Sequence, residues 1–215
     1  MEVKGALITF EGIDACGKST QASLLVRALE ARGVPVVHTR EPGGTELGRE
    51  IRRLVLYSQR AEIPAVAEAL LMAADRADHV ERVVLPALRR GQVVVSERFA
   101  DSTEAYQGYG GQVPLEVIRC LNAIATRGLE PTVTFLLDLD PEEAARRRGG
   151  PADRLEARDR TYHQRVRQGY LEIQRRSPQR VVLVDASAPA EEVHRAIVRE
   201  LERREILPGQ GGEGP

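Results

Sequence analysis

Eight consecutive residues constrain this chain more than any other feature of it: Gly12-Ile13-Asp14-Ala15-Cys16-Gly17-Lys18-Ser19. They read G-x-x-x-x-G-K-[ST], directly after the apolar run Ala6–Phe10 and directly before a helical pattern that opens at Lys18. Gly12 and Gly17 let the backbone turn so that successive N–H groups face one polyphosphate, and the N-terminal dipole of the following helix adds favourable potential. Lys18 is expected to reach the β- and γ-phosphates of a nucleotide, and the Ser19 hydroxyl to ligate Mg²⁺. The loop backbone through Ile13, Ala15, Cys16 and Thr20 completes the phosphate cradle. Cys16 reads as a small buried filler rather than a redox switch. Taken alone, the motif implies Mg·ATP or Mg·GTP binding, and the absence of an N-K-x-D motif disfavours a GTPase.

A loop of this kind needs a strand before it and a helix after it, and the rest of the chain continues that rhythm. The strand candidates are Ala6–Phe10, Val34–Thr39, Val93–Ser96, Val133–Leu139 and Val181–Val184. They are continuous apolar runs, as parallel strands covered on both faces require. The helix candidates between them are Lys18–Arg32 (closed by Gly33), Pro64–Arg90 (with a break or kink expected at Pro86), Pro114–Thr126, Pro141–Arg148, Asp159–Arg175 and Pro189–Arg204. The pattern predicts an α/β fold of three layers: a doubly wound five-stranded parallel sheet flanked by helices. At 215 residues, one domain over 1–207 is expected, with a lid segment at about 146–158 and a disordered tail over 208–215.

Composition narrows the partners. Lys+Arg at 31 nearly cancels Asp+Glu at 32, and the net charge of −1 gives no general attraction to nucleic acid or an anionic membrane. Two cysteines, Cys16 and Cys120, are too few for a disulfide framework. No apolar stretch approaches the ~18 residues that span a bilayer, and a cytoplasmic protein is expected. The four histidines show no ligand spacing and read as structural or surface residues.

A second cluster follows the third strand: Ser96-Glu97-Arg98, continuing through Ala105-Tyr106-Gln107-Gly108. Loops at strand carboxyl ends line the ligand crevice of an open parallel sheet, so Glu97 stands where a carboxylate holds Mg²⁺ and Arg98 where a guanidinium grips a phosphate. After the second strand comes Arg40-Glu41-Pro42-Gly43-Gly44. Together with the glycine-rich loop, these strings resemble the bacterial thymidylate kinases, and the similarity covers nearly the whole chain except the tail. The resemblance implies a P-loop nucleoside monophosphate kinase that uses ATP and Mg²⁺ to phosphorylate dTMP. It also implies a homodimer packed through long helices.

It further implies roles for individual residues. Asp14 contacts the acceptor sugar and supports catalysis. Arg98 binds the acceptor phosphate, assisted by Arg52, with Arg53 as the competitor for that place. Arg76 bonds the thymine edge, Thr103 reads the base, Gln107 packs or bonds beside it, and Tyr106 stands against the sugar 2′ position. Arg40 and Glu41 either pair with one another or touch ligand. One branch of the family carries an arginine inside the loop where this chain has Ala15. Members without it supply lid arginines, here Arg148 and Arg154, to close over the ATP phosphates and exclude water.

Three positions depart from the family pattern. Glu97 replaces the usual Asp, Met72 stands where a phenylalanine commonly stacks on thymine, and Gly111-Gln112 replaces a more usual basic residue. They bear on thymine selectivity more than on kinase activity. Two alternatives stay open at this level: a related kinase for dUMP or a deoxynucleoside, and a nucleotide-binding module without transfer activity.

Overall fold

The five apolar runs become five parallel strands: β1 (Leu7–Glu11), β2 (Val36–Arg40), β3 (Val93–Glu97), β4 (Val133–Asp138) and β5 (Val181–Asp185). Their order across the sheet is β2-β3-β1-β4-β5. The computed structural model describes residues 4–58 and 63–207, so the tail expected over 208–215 lies outside the described residues. β1, β3 and β4 are buried almost throughout, whereas β2 and β5 at the two edges are partly open. Four strands run one residue past the apolar pattern, onto Glu11, Arg40, Glu97 and Asp185. Backbone pairing does not require an apolar side chain, and these charged ends lie where the sheet meets the ligand crevice.

The helices are α1 (Lys18–Ala31), α2 (Glu46–Tyr57), α3 (Ala65–His79), α4 (Leu85–Arg89), α5 (Ala100–Thr103), α6 (Leu115–Thr126), α7 (Pro141–Arg147), α8 (Arg160–Arg176) and α9 (Ala190–Arg203). α1 ends in a Schellman motif: Gly33 at φ +70° donates to Glu30 O, and Val34 donates to Leu29 O. Thr45, Asp140 and Asp159 cap α2, α7 and α8 by accepting backbone N–H groups.

Two local departures from the sequence reading have clear causes. The long helix expected over Pro64–Arg90 continues through a π-helical stretch, Val80–Val84, and runs on past Pro86 without a break. The wider turn, with Leu85 N–H bonded to Val80 O, moves the backbone away from the proline ring, which would otherwise strike the carbonyl of residue 82. The cluster after β3, read as a loop, is helical: α5 continues as a π-helical segment over Glu104–Gly110. Glycines make this possible. A Cβ on Gly110 would lie 2.7 Å from Tyr162 and Val166, and one on Gly169 would lie 2.7 Å from Tyr109. Only glycine lets α8 pack this close to the segment.

The chain leaves β1 toward β2 on one side and leaves β3 toward β4 on the other. The strand order therefore reverses between β1 and β3, which opens a crevice beyond their carboxyl ends. Phe10 pairs with Glu97 at that edge, which brings the loop after β1 against Glu97 and Arg98 after β3.

Candidate active site

The glycine-lysine loop takes the shape its sequence requires. Gly12 sits at φ +134°, and a Cβ there would lie 2.5 Å from Leu137 O; Gly17 sits at φ +101°. No side chain caps α1, so the N–H groups of its first turn are available to an anion. Lys18 Nζ donates to Ile13 O at 2.7 Å and to Gly12 O at 3.2 Å, which holds the ammonium over the mouth of the loop. Ser19 Oγ donates to Glu97 Oε2, and His38 Nε2 lies 3.2 Å from Glu97 Oε1. Burial pushes the Glu97 carboxyl up, but the bonds from His38 and Ser19 outweigh it and the pKa falls below the usual value. Lys18, Ser19, Thr20, Arg40, Glu97 and Arg147 line a cavity of about 360 Å³ around the loop. Cys16 is buried, as expected of a filler.

A second cavity, of about 300 Å³, adjoins the first. Arg52, Met72, Arg76, Thr103, Tyr106 and Gln107 all line it, so every residue expected to meet the acceptor is brought to one place. Asp14, Arg52 and Arg98 line both cavities and form the wall between them. Arg98, at φ +72°, bonds there through both of its terminal nitrogens. Nη2 donates to Asp14 Oδ1 and to Tyr106 OH at 3.1 Å; Nη1 donates to Gly12 O at 3.0 Å and Ser102 Oγ at 3.1 Å. Tyr106 OH donates to Asp14 Oδ2 at 2.7 Å. Burial would raise the Asp14 carboxyl, but the Arg98 and Lys18 charges hold it far below the carboxylate range. Asp14 is thus fixed as an anion between the two cavities.

Behind this wall lies a layer that sequence reasoning missed. Glu11 is fully buried and accepts from Phe99 N at 2.6 Å, Ser102 Oγ at 2.6 Å and Tyr170 OH at 2.9 Å. Burial, with the Asp101 charge adding, raises its pKa to about 7. The clue in the sequence was an acidic residue ending an otherwise apolar run; Tyr170 gave none, because only the packing of α8 brings it here. Arg76 is also more deeply engaged than expected. Nε donates to Glu41 Oε2 at 2.8 Å, Nη1 to Thr103 Oγ1 and Asn122 Oδ1, and Nη2 to Phe99 O. One of its five N–H groups remains for a ligand. His79 Nδ1 lies 2.8 Å from Glu41 Oε1, so Glu41 joins Arg76 rather than Arg40. Arg40 is left lining the phosphate-loop cavity.

The family model for thymidylate kinase matches residues 10–197. The chain belongs to the thymidylate kinase family. It is 50% identical over 202 residues to a thymidylate kinase of Symbiobacterium thermophilum, covering 94% of each chain. It is 53% identical over 193 residues to one from Leifsonia xyli, covering 88% of this chain and 90% of the relative. The crystal structure of thymidylate kinase from Ehrlichia chaffeensis superposes with a TM-score of 0.75 at 33% identity, covering 92% of this chain and 98% of that one.

Against that family pattern, the lid arginines separate. Arg148 lines the acceptor cavity and a neighbouring one that also includes Asp14, and its buried Nε has no hydrogen-bond partner among the described residues; Glu156 Oε2 is 3.6 Å away. Arg154 lines neither the acceptor cavity nor the phosphate-loop cavity. Its guanidinium is tied to Glu68 Oε2 and to Val55 O at 2.7 Å, and its own N–H donates to Leu56 O at 3.1 Å. Arg154 was expected to close over the ATP phosphates; in this structure the buried Glu68 carboxylate and the carboxyl end of α2 hold its guanidinium away from the phosphate-loop cavity. Arg147, by contrast, lines the phosphate-loop cavity and donates to Ala186 O and Ser187 O.

Proposed function

We propose that this chain transfers the γ-phosphoryl group of ATP to dTMP, giving dTDP and ADP. The observation that carries the reading is the shared wall: Asp14 and Arg98 face a phosphate-loop cavity on one side and a nucleotide-sized polar and apolar cavity on the other. A donor and an acceptor held there would meet across two charged residues, as an in-line displacement needs. The loop N–H groups and Lys18 hold the donor phosphates. Arg98, with Arg52 beside it, holds the acceptor phosphate. Asp14 bonds the acceptor sugar and keeps Arg98 aimed.

The donor set of Ser19 and Glu97 is one hydroxyl and one ionised carboxylate, two hard oxygens in contact, which suits Mg²⁺ completed by phosphates and water. When bound, that ion neutralises charge on the β- and γ-phosphates. Arg148 covers the reacting groups as part of a lid at about 146–158 within a single domain spanning 1–207, and this excludes water. Val66 and Leu70 on α3 and Val117 and Ile124 on α6 leave an exposed apolar face, and these helices support a homodimer. Among the described residues, no helix is long and apolar enough to cross a membrane. A cytoplasmic enzyme drawing on free nucleotide pools fits this reading.

The test is ADP release measured across a panel of nucleoside monophosphates. The expected order is dTMP first, dUMP weaker and ribonucleotides poor. Comparable turnover of CMP or AMP would refute it.

A further inference from the structure

Gln107 lines the acceptor cavity but is almost fully buried, so its amide presents one chosen end to a ligand. Its Nε2 donates to Glu68 Oε1 at 2.7 Å. A carboxylate oxygen only accepts, so the NH₂ end must face Glu68 and the carbonyl is the end left for the cavity. Among the described residues nothing donates to Gln107 Oε1. Glu68 is itself immobilised. It is 1% exposed, its second oxygen accepts from Arg154, and Arg158 Nη2 lies 3.5 Å from that oxygen. Arg154 in turn is fastened to the backbone of α2 through Val55 O and Leu56 O. The orientation of the Gln107 amide is therefore fixed from outside the cavity.

We propose that Glu68 is a positioning residue for acceptor selectivity, turning the Gln107 carbonyl toward the base so that the site takes a pyrimidine bearing N3–H and rejects one whose N3 is unprotonated. The inference rests on the acceptor reading above. Thymine and uracil carry a donor at N3, which a carbonyl oxygen satisfies. Cytosine carries an acceptor there, and two lone pairs would then face each other in a buried place with no proton between them. If Gln107 were free to rotate, its NH₂ end would serve cytosine equally well. Glu68 removes that choice without touching substrate. Discrimination against the 5-hydrogen of uracil is not part of this device.

The experiment measures kcat and KM for dTMP, dUMP and dCMP at saturating ATP in the wild type and in Glu68→Gln. The glutamine amide can pair with Gln107 in either orientation. The expected result is a fall of ~10-fold or more in the dTMP-to-dCMP ratio of kcat/KM, carried mainly by KM, with the dTMP-to-dUMP ratio unchanged. Should Glu68→Gln not fold, the double variant Glu68→Met/Arg154→Met removes both partners of the buried ion pair with side chains of similar length, which is the better-tolerated change, and the same ratio is read. If all three acceptors lose activity in proportion, Glu68 only braces the lid and the proposal is overturned. A wild type that turns over dCMP as well as dTMP overturns it directly. A wild type that phosphorylates none of the three overturns the acceptor reading before any variant is made.

Discussion

Replacing Glu11 by Gln should make the protein more stable at neutral pH relative to the wild type, and leave it nearly unchanged in mild acid. The carboxyl is raised from 4.5 to about 7, chiefly by burial, with Asp101 adding and Arg98 opposing. At ~1.4 kcal/mol per pH unit, the full displacement corresponds to about 3.5 kcal/mol. Because the folded-state pKa is raised, the stability that this group contributes is fully present below about pH 4.5 and is lost as pH climbs through about 7. Glutamine keeps the shape and never ionises. Its oxygen can accept from Phe99 N, while the Ser102 and Tyr170 hydroxyls rotate to accept its N–H groups. Urea unfolding of both proteins at about pH 5 and about pH 8 gives the test. The difference in unfolding free energy should move in the variant's favour by about 2–3 kcal/mol between the two. Parallel pH dependences would refute the reasoning, because the carboxyl would then titrate alike in the folded and unfolded chain.

Arg98→Met should lower kcat/KM for the acceptor by ~10³-fold or more while ATP still protects the protein against thermal unfolding; retention of acceptor turnover would remove Arg98 from the wall. Arg148→Ala and Arg154→Ala should part company. The first lowers kcat by ~10-fold or more with little change in Tm. The second strands the buried Glu68 carboxylate and costs about 3 kcal/mol of stability, seen in chemical denaturation. Gly12→Ala should abolish nucleotide-dependent thermal stabilisation, since the added Cβ would lie 2.5 Å from Leu137 O at a φ that L-residues avoid.

The sheet was readable because each strand is a short apolar run bounded by glycine, proline or charge, and parallel strands covered on both faces leave that mark. The phosphate loop was readable because its glycines answer to local backbone geometry alone. The residues expected around the acceptor also converged on one cavity, since the motifs that carry them lie at strand carboxyl ends, which the topology gathers. What sequence withheld depends on non-local packing. Helicity over Ala100–Gly110 requires α8 packed close through one glycine on each side, Gly110 and Gly169, and no periodicity in the segment itself announces that. The misplacement of Arg154 has the same origin. A basic, glycine-flanked stretch looks the same in sequence whether its guanidinium meets a phosphate or a buried carboxylate, and Glu68 lies 86 residues away.

The bond between Arg98 and Tyr170 spans 72 residues of sequence, and the one between Glu11 and Tyr170 spans 159. On a ribosome adding ~5–20 residues per second, the arginine of the wall leaves the tunnel several seconds before the tyrosine that supports it. The phosphate loop and its flanking strand are made first, yet the buried acid behind them must wait for one of the last helices before its hydroxyl partners are complete. The nascent chain therefore carries a glycine-rich loop in an unfinished frame for much of its synthesis. The acid behind the loop gains its Tyr170 partner only when α8 docks.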